Sequence, residues 1–265
     1  MERLLKAIGY AAKPKGFEIL SALCSTVVSG DERQLIGDLP AVFYGVTPAT
    51  KHLWEQAKRE GRDWMYCDNA YFDACRGTYF RVTKNRLQHP GLGVSDGKRF
   101  AQLEAEDFVH IAPMRRRGKH IVIAPQSDEF MQVVVGYPAD RRWVDDVQVM
   151  LRKHTGRELV FLPWQRDKTE WYRRLPAALA EAHALVTYSS ASVISAVLSG
   201  VPGFVMTDDC IAYTVTQSPD EVENPIYRSA DERRQWAEVV ADNQWTLEEM
   251  RSGLCEAMLR EKATA

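Results

Sequence analysis

Two serines, Ser189 and Ser190, stand between an apolar run at 184–188 (ALVTY) and an amphipathic stretch that ends in 198–202 (LSGVP). A second apolar run, 203–207 (GFVMT), follows. As strand, turn, short helix and strand, this order aims a helix N-terminus at the carboxyl edge of a parallel sheet. Backbone N–H groups without helical partners, with serine hydroxyls and Ala191 in the same turn, have the chemistry of a phosphate seat. Ser is also a good N-cap, and such a turn can serve the helix alone. Both readings stand at this point.

Two further apolar runs, 120–124 (HIVIA) and 158–162 (ELVFL), also end in loops with chemistry to offer. Loops at the carboxyl ends of parallel strands face the ligand crevice. Pro125-Gln126-Ser127 and Pro163-Trp164-Gln165 are therefore expected to join Ser189-Ser190-Ala191 around one nucleotide pocket. Gln126 and Ser127 would bond phosphate or sugar, and Trp164 would stack on a base or simply pack. Arg166 and Lys168 lie close enough in sequence to balance diphosphate charge.

A third group mixes rings with cations. Tyr71, Phe72, Tyr79 and Phe80 interleave with Arg76, Arg81, Lys84 and Arg86. That composition suits a surface that stacks bases and neutralises phosphates. Residues 1–117 hold 18 Lys and Arg against 14 Asp and Glu, and the rest 16 against 22, so the positive charge is local. Arg76, Arg81, Lys84, Arg115 and Arg116 are the expected contacts of an anionic partner such as DNA. The alternative is an ordinary strand at 79–82 (YFRV) with its charges turned to water.

The elements that must position these groups alternate. Strands are expected at 4–9, 41–45 and 64–67, the last ending at Asp68-Asn69. Helical spacing runs from Phe17 to Val28, and Thr47-Pro48 opens a helix that Gly61 stops. After an irregular, charged stretch at 70–117, strands at 120–124 and 158–162 alternate with helices at 140–154 and 176–183. Two helices close the chain, the second opened by Thr246 and Glu249 as a capping box. Such alternation predicts an α/β protein of two doubly wound, Rossmann-like lobes with a cleft between them, residues 1–117 and 118–265.

The 184–209 segment, with its Ser-Ser turn and LSGVP ending, resembles the donor-binding segment of GT-B glycosyltransferases. The order of elements matches over most of the chain, and residues 118–209 carry the motif-level similarity. The resemblance implies a nucleotide-diphosphate sugar as co-substrate, bound by Gln126, Ser127, Trp164, Lys168, Ser189, Ser190, Ala191 and Asp208. Transfer would go to a hydroxyl acceptor held by the first lobe, with no cofactor and no metal required. The chain is short for this fold, so its first lobe must be trimmed. Asp68 is the expected base if transfer inverts, with Asp73 as its rival; an Asx turn at Asp68-Asn69 is the structural alternative. The trimmed lobe and Asp68–Phe72 segment are similar to small bacteriophage-type transferases that act on hydroxymethylated pyrimidines. A surface-glycan acceptor, a nucleotide-sugar 2-epimerase-like enzyme and an idle nucleic-acid-binding protein of the same fold are the other readings.

The remaining features exclude classes. No run approaches the roughly 20 apolar residues of a membrane span, and no signal peptide is apparent. Five scattered cysteines without metal-ligand spacing point to a reducing cytoplasm. Hydrolase-elbow, P-loop and zincin patterns are missing, as is a DxD triplet. His52 and His183 are expected within helices.

Overall fold

A computed structural model describes residues 5–72, 77–107, 109–165 and 168–261, without the side chains of residues 168, 169, 172, 260 and 261. The chain forms two compact units, one of Met1–Gln88 with Asn243–Ala265 and the other of His89–Asp242. The sequence division near Arg117 falls inside the second of these.

The first unit opens with β1 (Leu5–Ala11), α1 (Pro14–Leu23), β2 (Cys24–Ser29), β3 (Ala41–Tyr44), α2 (Lys51–Arg59), β4 (Trp64–Asn69) and β5 (Tyr79–Lys84). Pro14 starts α1, where its fixed φ suits the first turn, and Ile19, Leu20 and Leu23 bury the inner face. The helical spacing read through Val28 ends at Leu23. Thr26, Val27 and Val28 are β-branched and pair with β1 as a parallel strand. Thr47-Pro48 sets the turn that leads into α2: Thr50 N–H donates to Thr47 Oγ1 at 3.4 Å, Thr47 N–H to Thr50 Oγ1 at 3.0 Å and Lys51 N–H to Thr47 O at 2.9 Å, and the regular helix runs on from Lys51. Strand β4 extends through Asp68 and Asn69, because these pair with Arg81 and Phe80 of antiparallel β5. They therefore form no exit turn there.

In the second unit come α3 (Lys98–Ala105), β6 (His120–Ile123), α4 (Asp128–Phe130), a π-helical turn (Met131–Val135) and α5 (Trp143–Leu151). Next are β7 (Glu158–Phe161), α6 (Lys168–Leu179), β8 (Ala182–Thr187), α7 (Ser192–Leu198), β9 (Gly203–Val205) and α8 (Ala230–Ala241). Ile121, Val122 and Ile123 are fully buried, as expected of a parallel strand covered on both faces. Helix α5 starts at Trp143, later than the sequence suggests. Asp145 and Asp146 therefore lie in its first turn, where carboxylates suit the positive helix end. Helix α6 ends at Leu179, and His183 belongs to the wholly buried strand β8, with its Nε2 2.9 Å from Val222 O.

Beyond Asp242, β10 (Trp245–Thr246), α9 (Leu247–Arg251) and α10 (Leu254–Glu261) complete the first unit. The Thr246–Glu249 capping box forms, with Thr246 Oγ1 accepting from Glu249 N–H at 3.1 Å and Glu249 Oε2 accepting from Thr246 N–H at 2.7 Å. Trp245 is fully buried and pairs with Phe80 of β5.

The first sheet has the order β10-β5-β4-β3-β1-β2, in which β4, β3, β1 and β2 are parallel, β5 runs antiparallel to β4, and β10 runs antiparallel to β5. The second has the order β7-β6-β8-β9 and is parallel throughout. Each sheet reverses its winding once. β1 is flanked by β2 and β3, and β6 by β7 and β8, so the reversals lie at β1/β3 and β6/β8. Ligands of doubly wound sheets bind outside the carboxyl ends of the strands at such points. Among the described residues no helix is long and apolar enough to cross a membrane.

Candidate functional site

At the β6/β8 reversal the loop after β6 meets the turn after β8. One terminal atom of the Gln126 amide faces three donors: Ser189 Oγ at 2.6 Å, Ser189 N–H at 2.8 Å and Ser190 N–H at 3.0 Å. A nitrogen there would set donor against donor, so the atom is assigned as the amide oxygen. Ser190 N–H also reaches Thr187 Oγ1 at 3.1 Å, and Ser190 Oγ accepts from Ser192 N–H at 3.3 Å. The two serines divide their tasks. Ser190 supports the start of α7, while buried Ser189 ties the turn to Gln126. Ala191 is the half-buried N-cap residue of α7.

A cleft of about 220 Å³ lies beside this junction. Gln126 and Ser127 line it from the β6 loop, Phe161 and Trp164 from β7 and its loop, and Arg142 and Trp143 from the start of α5. Three of the residues expected from sequence thus share one pocket. Ser127 Oγ also accepts from Phe130 N–H at 3.1 Å and caps α4, which fixes the loop. Trp164 is 38% exposed, so its ring is not simply core packing. Below the usual ~300 Å³ of a drug-sized ligand site, the cleft suits a single ring, a base or a sugar, better than a whole nucleotide sugar.

Arg142 was not among the sequence candidates. Its guanidinium lies 5.8 Å from the Phe161 ring centroid and 3.9 Å from Asp145, with its side chain 62% exposed. No local signal marks it, because the ring it meets belongs to another strand. Arg233 was missed too. It is fully buried on α8 and donates to Val197 O and Ala112 O, both at 2.9 Å, so it clamps the C-terminal end of α7. Burial pulls its pKa down. Gly200 completes that end: with φ +76°, a Cβ there would lie 2.1 Å from Pro113 O, which accounts for the glycine of LSGVP.

Ser189, Ser190, Ala191 and Asp208 do not line the cleft themselves. Lys168 opens α6, and its side chain is outside the described residues, as is Arg166. Asp208 is exposed in the turn after β9, on the edge strand of the sheet. Among the described residues no group of three or more His, Cys, Asp or Glu is arranged to hold a metal ion.

In the first unit Asp68 sits at the carboxyl end of β4. Its Oδ2 accepts from Arg81 Nη2 at 2.9 Å and from Tyr66 OH at 3.0 Å, and its Oδ1 from Asn69 N–H at 2.8 Å. Burial, then the Asp68 charge, pushes the Tyr66 phenol well above its ordinary pKa, so it remains a donor. Burial is the largest single influence on Arg81 and opposes its charge, but Asp68 together with Tyr71 and Tyr66 outweighs it, and the net shift is upward. The carboxylate thus has a structural task at this point whatever else it does. Asp73 lies outside the described residues.

The basic stretch is not a row of free cations. Arg81 is 8% exposed and paired with Asp68, and Lys84 pairs with Asp63 at 2.7 Å. Arg115 donates to Leu179 O and Ala180 O at 2.7 and 2.6 Å, where it caps the end of α6. Arg116 stacks 5.3 Å from the Tyr227 ring centroid. Arg76 is outside the described residues. Sequence composition could not show that strand pairing and helix ends consume these charges.

The fold is α/β with two Rossmann-like units and is GT-B-like. Two solved structures resemble it. One is Thermosulfurimonas dismutans KpsC, beta Kdo 2,4 transferase, with a TM-score of 0.52 and 12% identity over 91% of this chain and 91% of that one. The other is Thermosulfurimonas dismutans KpsC, beta Kdo 2,7 transferase, with a TM-score of 0.52 and 12% identity over 96% of this chain and 99% of that one. Neither a protein-family model nor a curated protein sequence matches the chain. At this identity the likeness is one of fold.

Proposed function

We propose that the chain is a glycosyltransferase that moves a sugar from a nucleotide-activated donor to a hydroxyl acceptor, with the donor held by the second unit. The observation that carries this reading is the convergence of Gln126, Ser127, Trp164 and the Ser189-Ser190 turn at the β6/β8 reversal of a GT-B-like fold. The two structural neighbours are titled Kdo transferases, which supports glycosyl transfer as the kind of reaction.

Breaking a sugar–phosphate bond builds negative charge on the leaving phosphate, so preorganised donors lower the barrier. The Ser189 and Ser190 N–H groups already hold a neutral oxygen, that of Gln126. In this reading a donor phosphate oxygen replaces the amide oxygen, and Gln126 turns to donate from its nitrogen. Trp164 and Phe161 offer faces for the base, and exposed Arg142 supplies a cation for the phosphate without a required metal. The engagement of Arg81, Lys84, Arg115 and Arg116 inside the units favours a glycan hydroxyl over DNA as acceptor. Asp68 is the base of an inverting transfer only if Arg81 releases one of its oxygens.

The test is the Gln126→Glu variant. A carboxylate accepts from the same three donors but repels a phosphate, so folding should persist while nucleotide affinity falls about tenfold or more. Unchanged affinity would remove the turn from the donor site.

A further inference from the structure

The winding reversal of the first unit, at β1/β3, carries a group of side chains that the donor site does not use. Lys15, in the first turn of α1, donates from Nζ to Asn69 Oδ1 at 3.2 Å. The same ammonium lies 5.9 Å from the Tyr44 ring centroid and 5.6 Å from that of Phe80. Tyr44, the last residue of β3, also points its hydroxyl at Asn69 Oδ1, at 3.3 Å. Burial, then Asp68, pushes the Tyr44 phenol up, so it stays neutral. Gly45 follows with φ +66°, and among the described residues nothing lies within 4 Å of where its Cβ would be.

Charge decides what this place attracts. Asp68 is matched by Arg81 at 2.9 Å. Among the described residues no carboxylate pairs with Lys15, which is exposed yet positioned by an amide oxygen and two ring faces. Among the described residues, a positive charge without a paired carboxylate is therefore held at the point where a doubly wound sheet binds ligands. Hydroxyl, amide and ring groups around it are the complement of a polyhydroxylated ring.

We propose that this place binds the anionic group, carboxylate or phosphate, of a hydroxyl-bearing compound, with Lys15 as the pairing cation. It rests on the transferase reading only in naming that compound the acceptor, since binding itself needs no donor.

Lysine side chains of the full chain, isotope-labelled at Cε, are followed by NMR, with the Lys15 signal identified by its loss in Lys15→Arg. The probes are glucuronate, glucose 6-phosphate and glucose. Expected is a saturable Lys15 shift with one of the two anions, about tenfold tighter than with glucose, and a loss of that preference in Lys15→Met when binding of the same probes is measured by calorimetry. Preference for glucuronate identifies a carboxylate, and preference for glucose 6-phosphate a phosphate. A Lys15 signal that ignores both anions, or answers glucose equally, overturns the proposal. Nucleotide binding is measured on the same samples and should be equal in wild type and Lys15→Met. If Lys15 responds while no nucleotide binds, the transferase reading fails and the anion site stands.

Discussion

The two units place opposite chemistry at the same topological position. At the β6/β8 reversal of the second unit, two backbone N–H groups of the turn after β8 point at the loop after β6, and a neutral oxygen from Gln126 accepts from both. At the β1/β3 reversal of the first, an ammonium is held by neutral groups, with no carboxylate paired to it among the described residues. In the proposed account one place exchanges one oxygen for another, and the other gains an anion. The difference shows that a shared winding fixes where a ligand binds but leaves the type of ligand to a few side chains.

Breaking the ion pair of the first unit should have the largest effect. Asp68→Asn leaves the buried Arg81 guanidinium without its carboxylate, for a loss of about 3 kcal/mol in denaturant unfolding. Adding Arg81→Met should recover much of that stability. Transfer activity that returns with it would show Asp68 to be structural, and activity that stays lost would favour Asp68 as the base.

In the second unit Gln126→Leu deprives the turn of its acceptor and should cost about 1–3 kcal/mol, whereas Gln126→Glu should stay within about 1 kcal/mol of wild type. Equal losses in the two variants would mean that the amide oxygen is not what the turn needs. Ser190→Ala removes the acceptor for Ser192 N–H and should cost about 0.5–1 kcal/mol, visible as a small fall in Tm.

The smallest effect concerns pH. Burial lowers the His183 pKa below its ordinary 6.5, against the pull of its bond to Val222 O. The unfolded chain therefore binds the proton more readily. Stability from this group is complete above pH 6.5 and is lost as pH falls through the lower folded value. His183→Gln should flatten that acid limb; an unaltered limb would assign it to other groups.

Much of this contrast was legible in the sequence on one side only. The second unit's apolar runs are continuous, buried in β6, β8 and β9 and partly so in β7, so their ends, and with them Gln126, Ser127, Trp164 and Ser189-Ser190, could be located from residue type. The occupation of the turn by Gln126 could not, because it joins loops from different strands. In the first unit Lys15 follows a proline in an exposed turn and looks like a solvated charge; Tyr44 and Asn69 reach it only through the strand order. Asp68 was found by its place at a strand end, but its partner Arg81 became apparent only from the β4–β5 register. The pairings within the basic stretch were hidden for the same reason, since composition counts charges without their partners.

The donor-site reading is tested most directly by thermal unfolding with a panel of nucleoside monophosphates, diphosphates and nucleotide sugars. A ligand at about 100 times its Kd adds roughly 2.7 kcal/mol to stability, a shift of several degrees for a chain of this size. The expected result is a shift with one nucleotide family, much reduced in Gln126→Glu and in Trp164→Ala. No shift with any nucleotide, or a shift that both variants keep in full, would contradict a donor site at the β6/β8 reversal.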